Sequence, residues 1–128
     1  MNQFQTLIND CLIQTKHVHS VAILVAKTGG VIASSPRFQI LSREAEMFRD
    51  AFKHLTPTRE RGFYFREEEF RCVRADRNSI YCKCGGHGLI LLRTALFVIV
   101  ATYSEGMSPG VCVEAVESLA KYLREKGK

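Results

Sequence analysis

Residues 89–101 are apolar at every position except Arg93 and Thr94. That polar break makes the stretch too short and too polar to cross a bilayer, so no transmembrane segment is expected. It reads instead as two strands, over 89–94 and 96–103, and a connection this short favours antiparallel pairing. The same signature precedes it. Strand-like segments over 62–65, 70–75 and 79–84 are separated by Arg77-Asn78 and Gly85-Gly86-His87-Gly88 turns.

Toward the N-terminus, 20–26 is β-branched and apolar, Lys27-Thr28-Gly29-Gly30 is a turn, and 31–34 pairs back as a hairpin. Helical periodicity appears three times. Phe4, Leu7, Ile8, Cys11 and Leu12 predict an amphipathic helix over 3–14. Ser42 as N-cap followed by Ala45, Phe48, Ala51, Phe52 and Leu55 predicts a middle helix that ends before Pro57. Ser108-Pro109 then opens a last helix with Cys112, Ala115, Val116, Leu119 and Leu123 on one face. The expected fold class is α+β: an antiparallel sheet of about six or seven strands, terminal helices on one face and the middle helix on the other.

At 128 residues, with 46% hydrophobic and 24% charged residues, the chain fits one domain over 1–128 with a core of its own. Met1-Asn2-Gln3-Phe4-Gln5 has neither the basic nor the apolar region of a secretory signal, so a cytoplasmic location is expected. Five cysteines, an odd number, fit reduced thiols in the core better than a disulfide framework. A net charge of +5 directs the chain toward acidic partners.

Catalytic chemistry finds no support. His17, His19, His54 and His87 are scattered, and none joins a nucleophile or acid-base motif. Cys82, Cys84 and His87 provide three ligands at most where structural zinc takes four, so no metal is assigned and no cofactor is expected. The glycine turns lack phosphate-loop spacing. Glu67-Glu68-Glu69 reads as a solvated turn. Tyr64, Tyr81 and Tyr103 form no RNA-binding signature, so no nucleic-acid partner is expected. Arg71, Arg74, Arg77, Lys83 and Arg93 fall on consecutive strands or turns, and several of them sharing one face would make a partner surface.

The segment Tyr103-x-Glu105-x-Met107-x-Pro109-Gly110-x-Cys112, continuing to Glu117-x-Leu119-x-x-Tyr122-Leu123, resembles the C-terminal third of the profilin family. Arg74-Ala75-Asp76 and Arg93-Thr94 are similar to profilin strands, and the order of elements matches that fold over the whole chain. Thr15-Lys16-His17-Val18, residues 71–76 and residues 111–115 most resemble a fourth, testis-enriched animal branch. That resemblance implies weak or absent actin binding, affinity for acidic phospholipids such as phosphoinositides, and a cytoskeletal role in shaping spermatids. A conventional actin-monomer-binding profilin controlling polymerisation is the other reading.

Residue by residue, the resemblance implies an actin face at Arg74, Lys83, Arg93, Gly110, Val113 and Glu114. Val113 and Glu114 stand where many relatives carry Asn and a basic residue. The family's proline-rich ligands lie between the terminal helices on a Trp, a Tyr and C-terminal aromatic residues. Anchored on Lys16-His17-Val18, those positions fall on Gln5, Ile8 and Lys128, leaving Tyr122 and Leu123; a one-residue shift offers Phe4 and Leu7. The implied partners are therefore acidic phospholipids, with weak or absent binding of actin and proline-rich proteins, and a monomer is expected. Arg71, Arg74, Arg77, Lys83 and Arg93, or the tail with Lys121, Arg124, Lys126 and Lys128, would meet the lipid.

Overall fold

The computed structural model describes residues 2–128. Seven antiparallel strands form one sheet: β1 (Ser20–Val25), β2 (Val31–Ser34), β3 (Phe63–Phe65), β4 (Glu68–Ala75), β5 (Ser79–Cys84), β6 (His87–Arg93) and β7 (Phe97–Tyr103). Their order is β2-β1-β7-β6-β5-β4-β3. Every neighbour is adjacent in sequence except β1 and β7, which pair from Ser20↔Thr102 to Val25↔Phe97.

Strand alternation sorts the apolar residues onto two faces. Ala22, Leu24, Leu89, Leu91, Val98 and Val100 meet the helix α2 (Ser42–Ala51) through Ala45, Phe48 and Ala51. Phe48 is fully buried, with the rings of Phe63 and Phe65 at 5.8 Å and 5.2 Å. Val21, Ile23, Ile90, Leu92, Ile99 and Ala101 lie on the other face beneath the terminal helices. The expected architecture and its seven strands are present.

Local departures have physical causes. The first helix is α1 (Gln3–Leu7), followed by a widened π turn (Ile8–Leu12) and a tight 3₁₀ turn (Ile13–Thr15) that ends at Lys16 with φ 67°. The wider turn shifts the helical phase, so Ile8 and Leu12 are buried while Cys11, expected among the core thiols, is exposed.

Ser42 is the first residue of α2 rather than its cap; the Glu44 carboxylate accepts from the Leu41 N–H at 2.9 Å instead. The helix stops at Ala51, and a second one, α3 (Leu55–Arg61), follows and contains Pro57. In a first helical turn the missing N–H of proline costs nothing, so Pro57 sits inside a helix it was expected to preclude. Gly62 then ends α3 at φ 65°, where a Cβ would lie 2.0 Å from the Phe70 carbonyl oxygen.

The acidic run is only partly a turn, because Glu68 and Glu69 open β4. The reversal is Arg66-Glu67, both residues in the left-handed region at φ 53° and 69°. Arg66 is held there by the Glu44 carboxylate at 3.1 Å, by the Gln39 carbonyl and by the faces of Phe38 and Phe65. Burial would raise the Glu44 pKa, but hydrogen bonds from Arg66 and the Leu41 N–H outweigh it and hold the carboxyl below its ordinary value. A concavity of about 760 Å³ lies beside this clamp, lined by residues of 37–47 and 64–67 rather than by the terminal helices.

Candidate functional site

Helix α4 (Pro109–Glu125) follows the loop after β7. Its start is fixed twice: the Ser108 hydroxyl accepts from the Val111 N–H at 3.3 Å, and the Ser108 N–H donates to His17 Nδ1 at 2.8 Å. Cys112, Val116, Leu119, Ala120 and Leu123 are buried against the sheet and the N-terminal helical segment. Burial pushes the Cys112 thiol up to about 12, so it serves the core as a neutral apolar group.

A cleft of about 250 Å³ between the terminal helices is lined by Gln3, Phe4, Leu7, Tyr122, Leu123, Lys126 and Lys128. Its aromatic wall is Phe4, packed edge-on to Phe97 at 5.0 Å, together with the exposed Tyr122. Of the two registers, the shifted one places Phe4 and Leu7 in this cleft, while Ile8 is fully buried and the Gln5 side chain turns toward β2. Leu123 is buried too and offers the cleft only an edge.

Both aromatic faces are covered by cations. Lys128 Nζ lies 5.7 Å from the Phe4 ring centroid and Lys126 Nζ 5.6 Å from that of Tyr122. Lys128 is positioned by its backbone, whose carbonyl accepts from the Leu96 N–H at 2.6 Å and the Thr94 hydroxyl at 2.8 Å. The Lys126–Tyr122 pair has the i, i+4 spacing of a helix and is local, whereas Lys128 over Phe4 depends on where the β6–β7 turn meets residue 128.

Beyond the edge of α4, β4 and β5 leave the same face of the sheet open. Arg71 pairs directly with Lys83, and both are exposed. Neither makes an ion pair among the described residues. Arg74, next along, binds Asp76 at 2.8 Å and lies over the Tyr81 ring at 5.3 Å. Between them Val73 forms a bulge and is 52% exposed.

The hydrogen bond to Asp76 and that carboxylate's charge hold Arg74 above its ordinary pKa. Burial opposes ionisation of Asp76, yet hydrogen bonds from the Asn78 N–H, Arg74 and the Ser79 N–H keep its carboxyl below the usual range. Tyr81 donates to Glu117 of α4, which also accepts from the Ser79 hydroxyl at 3.2 Å. Desolvation first, and then Glu117, raise the Tyr81 pKa to about 12. This contact between the sheet and α4 was not anticipated from sequence.

The remaining residues divide. Arg77 is exposed in the β4–β5 turn. Arg93 pairs with Val98, so alternation puts it on the α2 face, and it does not join Arg71, Arg74 and Lys83. Val113 packs into the terminal-helix cluster. Glu114 instead lines an open groove with Leu7, Cys11 and Tyr122, and Gly110 is exposed in the first turn of α4. Cys82, Cys84 and His87 do not gather: no group of three or more metal-ligating side chains is present among the described residues. No helix there is long and apolar enough to cross a membrane.

A family model described as Profilin matches residues 2–128. The chain is 43% identical to "Profilin-4" of Bos taurus over 128 residues, 99% of each chain. It is 40% identical to "Profilin-4" of Mus musculus over 128 residues, with the same coverage. Among solved structures, profilin IA of Acanthamoeba castellanii superposes with a TM-score of 0.90 at 32% identity, covering 98% of this chain and 100% of that one.

Proposed function

The chain belongs to the profilin family, a family of non-catalytic actin-binding proteins, and from that premise we propose a divergent profilin that binds anionic phospholipid surfaces through Arg71, Arg74 and Lys83. The observation that carries this reading is the Arg71↔Lys83 pair. Like charges directly opposite on neighbouring strands destabilise a sheet, and an anionic partner turns that cost into binding. Val73 at the bulge adds an exposed apolar group between the cations.

The tail is the weaker candidate for the lipid surface. Lys126 and Lys128 are engaged over Tyr122 and Phe4, and the Arg124 guanidinium donates to the Arg93 carbonyl at 2.7 Å. Each cation near an anionic bilayer contributes about 1 kcal/mol, so three contribute roughly 3 kcal/mol, weaker than millimolar. Clustered phosphoinositide head groups are therefore the favoured target.

Weakened binding of proline-rich segments belongs to the same reading, because a proline ring must displace a lysine from either aromatic face. So does weakened actin binding, since Arg74 is already paired with Asp76. A cytoskeletal role in spermatids enters through the branch resemblance.

The test is sedimentation with phosphoinositide-containing vesicles. Arg71→Glu with Lys83→Glu is expected to abolish binding, Lys126→Glu with Lys128→Glu to leave most of it, and salt to weaken it steeply. Undiminished binding in the strand variant, or indifference to salt, overturns the assignment.

A further inference from the structure

We propose that Cys72 and Cys82 form a reversible intramolecular disulfide by exchange with a small-molecule disulfide of the glutathione class, creating a covalent tie between β4 and β5 beneath the basic patch. The two residues are direct partners in the β4–β5 register. Counting back from the two-residue Gly85-Gly86 turn, Cys84↔His87 and Cys82↔Leu89 are the hydrogen-bonded type of pair. Cys82 therefore directs its N–H and C=O toward β6, and its pair with Cys72 on β4 is the non-hydrogen-bonded type.

That type brings Cα atoms to about 4.5 Å with side chains at their closest, inside the range a disulfide spans. Cys72 and Cys82 lie in the same cluster on the α2 face, with the Cys72 thiol donating to the Arg74 carbonyl at 3.3 Å. Both thiols are free, Cys72 half-exposed and Cys82 buried. Register favours no other thiol: Cys84 pairs with His87 and is two residues from the Cys72 partner position, Cys112 is buried in the opposite layer, and Cys11 lies on the N-terminal helical segment.

Access sets the order of events. The Cys72 thiolate attacks one sulfur of the glutathione disulfide and expels one glutathione thiolate. The Cys82 thiolate then attacks the Cys72 sulfur of the mixed disulfide and expels the second. Two protein thiols are oxidised, one disulfide is reduced to two glutathiones, and the two protons end on those glutathiones. Burial and the neighbouring Cys72 push the Cys82 thiol far up, so the second step is the slow one. The link falls between the Arg71↔Lys83 and Arg74↔Tyr81 pairs, flanking the Val73 bulge, and it fixes the strand pairing that presents those cations.

The experiment treats the native reduced chain with oxidised glutathione, then denatures and alkylates it for intact-mass and peptide analysis. The expected product has three alkylated cysteines of the five, a peptide linkage joining Cys72 to Cys82, a raised melting temperature, and full reversal by dithiothreitol. Cys84→Ser should retain the linkage and Cys72→Ser should lose it. Stable glutathione adducts without a linkage, a linkage through Cys84, or five alkylated thiols after prolonged treatment would each overturn the proposal.

Discussion

Gln5 and Ser34 exchange two hydrogen bonds: the Gln5 side-chain amide donates to the Ser34 carbonyl at 2.9 Å and accepts from the Ser34 N–H at 3.4 Å. β2 is an edge strand, and the Gln5 amide serves it as a peptide unit of a further strand would. Asn2 adds a bond to the Ile32 carbonyl at 3.1 Å. Gln5→Ala should therefore lower stability by about 1–2 kcal/mol and raise self-association. Urea unfolding beside light scattering checks both, and unchanged values would mean that water serves the edge equally well.

The covered aromatic cleft predicts that a ten-proline peptide binds poorly. Phe4→Trp combined with Lys128→Tyr exposes a larger stacking surface while keeping the backbone bonds of residue 128. Calorimetry should show affinity rising at least about tenfold. Micromolar binding by the unaltered chain would show that the lysines do not obstruct.

Val113 and Glu114 occupy different sides of α4, with Val113 against the terminal-helix cluster and Glu114 in the outer groove. Val113→Asn with Glu114→Lys should strengthen binding of monomeric actin in a pull-down, with Val113→Asn giving the larger share. No gain in a folded double variant assigns the weakness to the neutralised Arg74.

The Tyr81–Glu117 contact predicts an alkaline dependence. Because the folded-state pKa of Tyr81, about 12, exceeds its ordinary 10, the contact's stabilisation is complete below pH 10 and is lost as pH rises toward 12. Phenolate absorbance in Glu117→Gln should show this tyrosine ionising nearer its ordinary value. A titration identical to that of the unaltered chain would break the assignment.

Two glycines separate packing from surface. A Cβ at Gly88 would lie 1.9 Å from the Tyr103 ring, whereas at Gly110 its nearest neighbour is the Ser108 hydroxyl at 3.9 Å. Gly88→Ala should cost at least about 2 kcal/mol, and Gly110→Ala should be neutral or stabilise by up to about 1 kcal/mol. Chemical denaturation of the two variants measures the contrast.

Periodicity carried most of the fold. β6 and β7 read as continuous apolar runs because both of their faces are dry, and the stripe of α4 follows from its single buried face. Pro57 misled because its effect depends on its place in a helix, and Arg66-Glu67 carries none of the glycine or asparagine that marks such a turn. At the candidate site, residue types were readable and relationships were not. That Arg71 faces Lys83, that Arg93 lies on the other side, and that Lys128 covers Phe4 all depend on register and chain crossings, whereas Lys126 over Tyr122 follows from i, i+4 spacing.

The one non-sequential pairing in the sheet governs how the molecule is assembled. β3 through β7 form a meander of local contacts that can zip strand by strand, while β1 must wait for β7, the last strand of the chain. Closing that long loop is the entropically expensive event, so it sets the folding rate. During synthesis the β1–β2 hairpin precedes β7 and stays unpaired on the side that β7 covers until that strand has been made. Folding is then expected to finish with β1 docking between two edges that already exist.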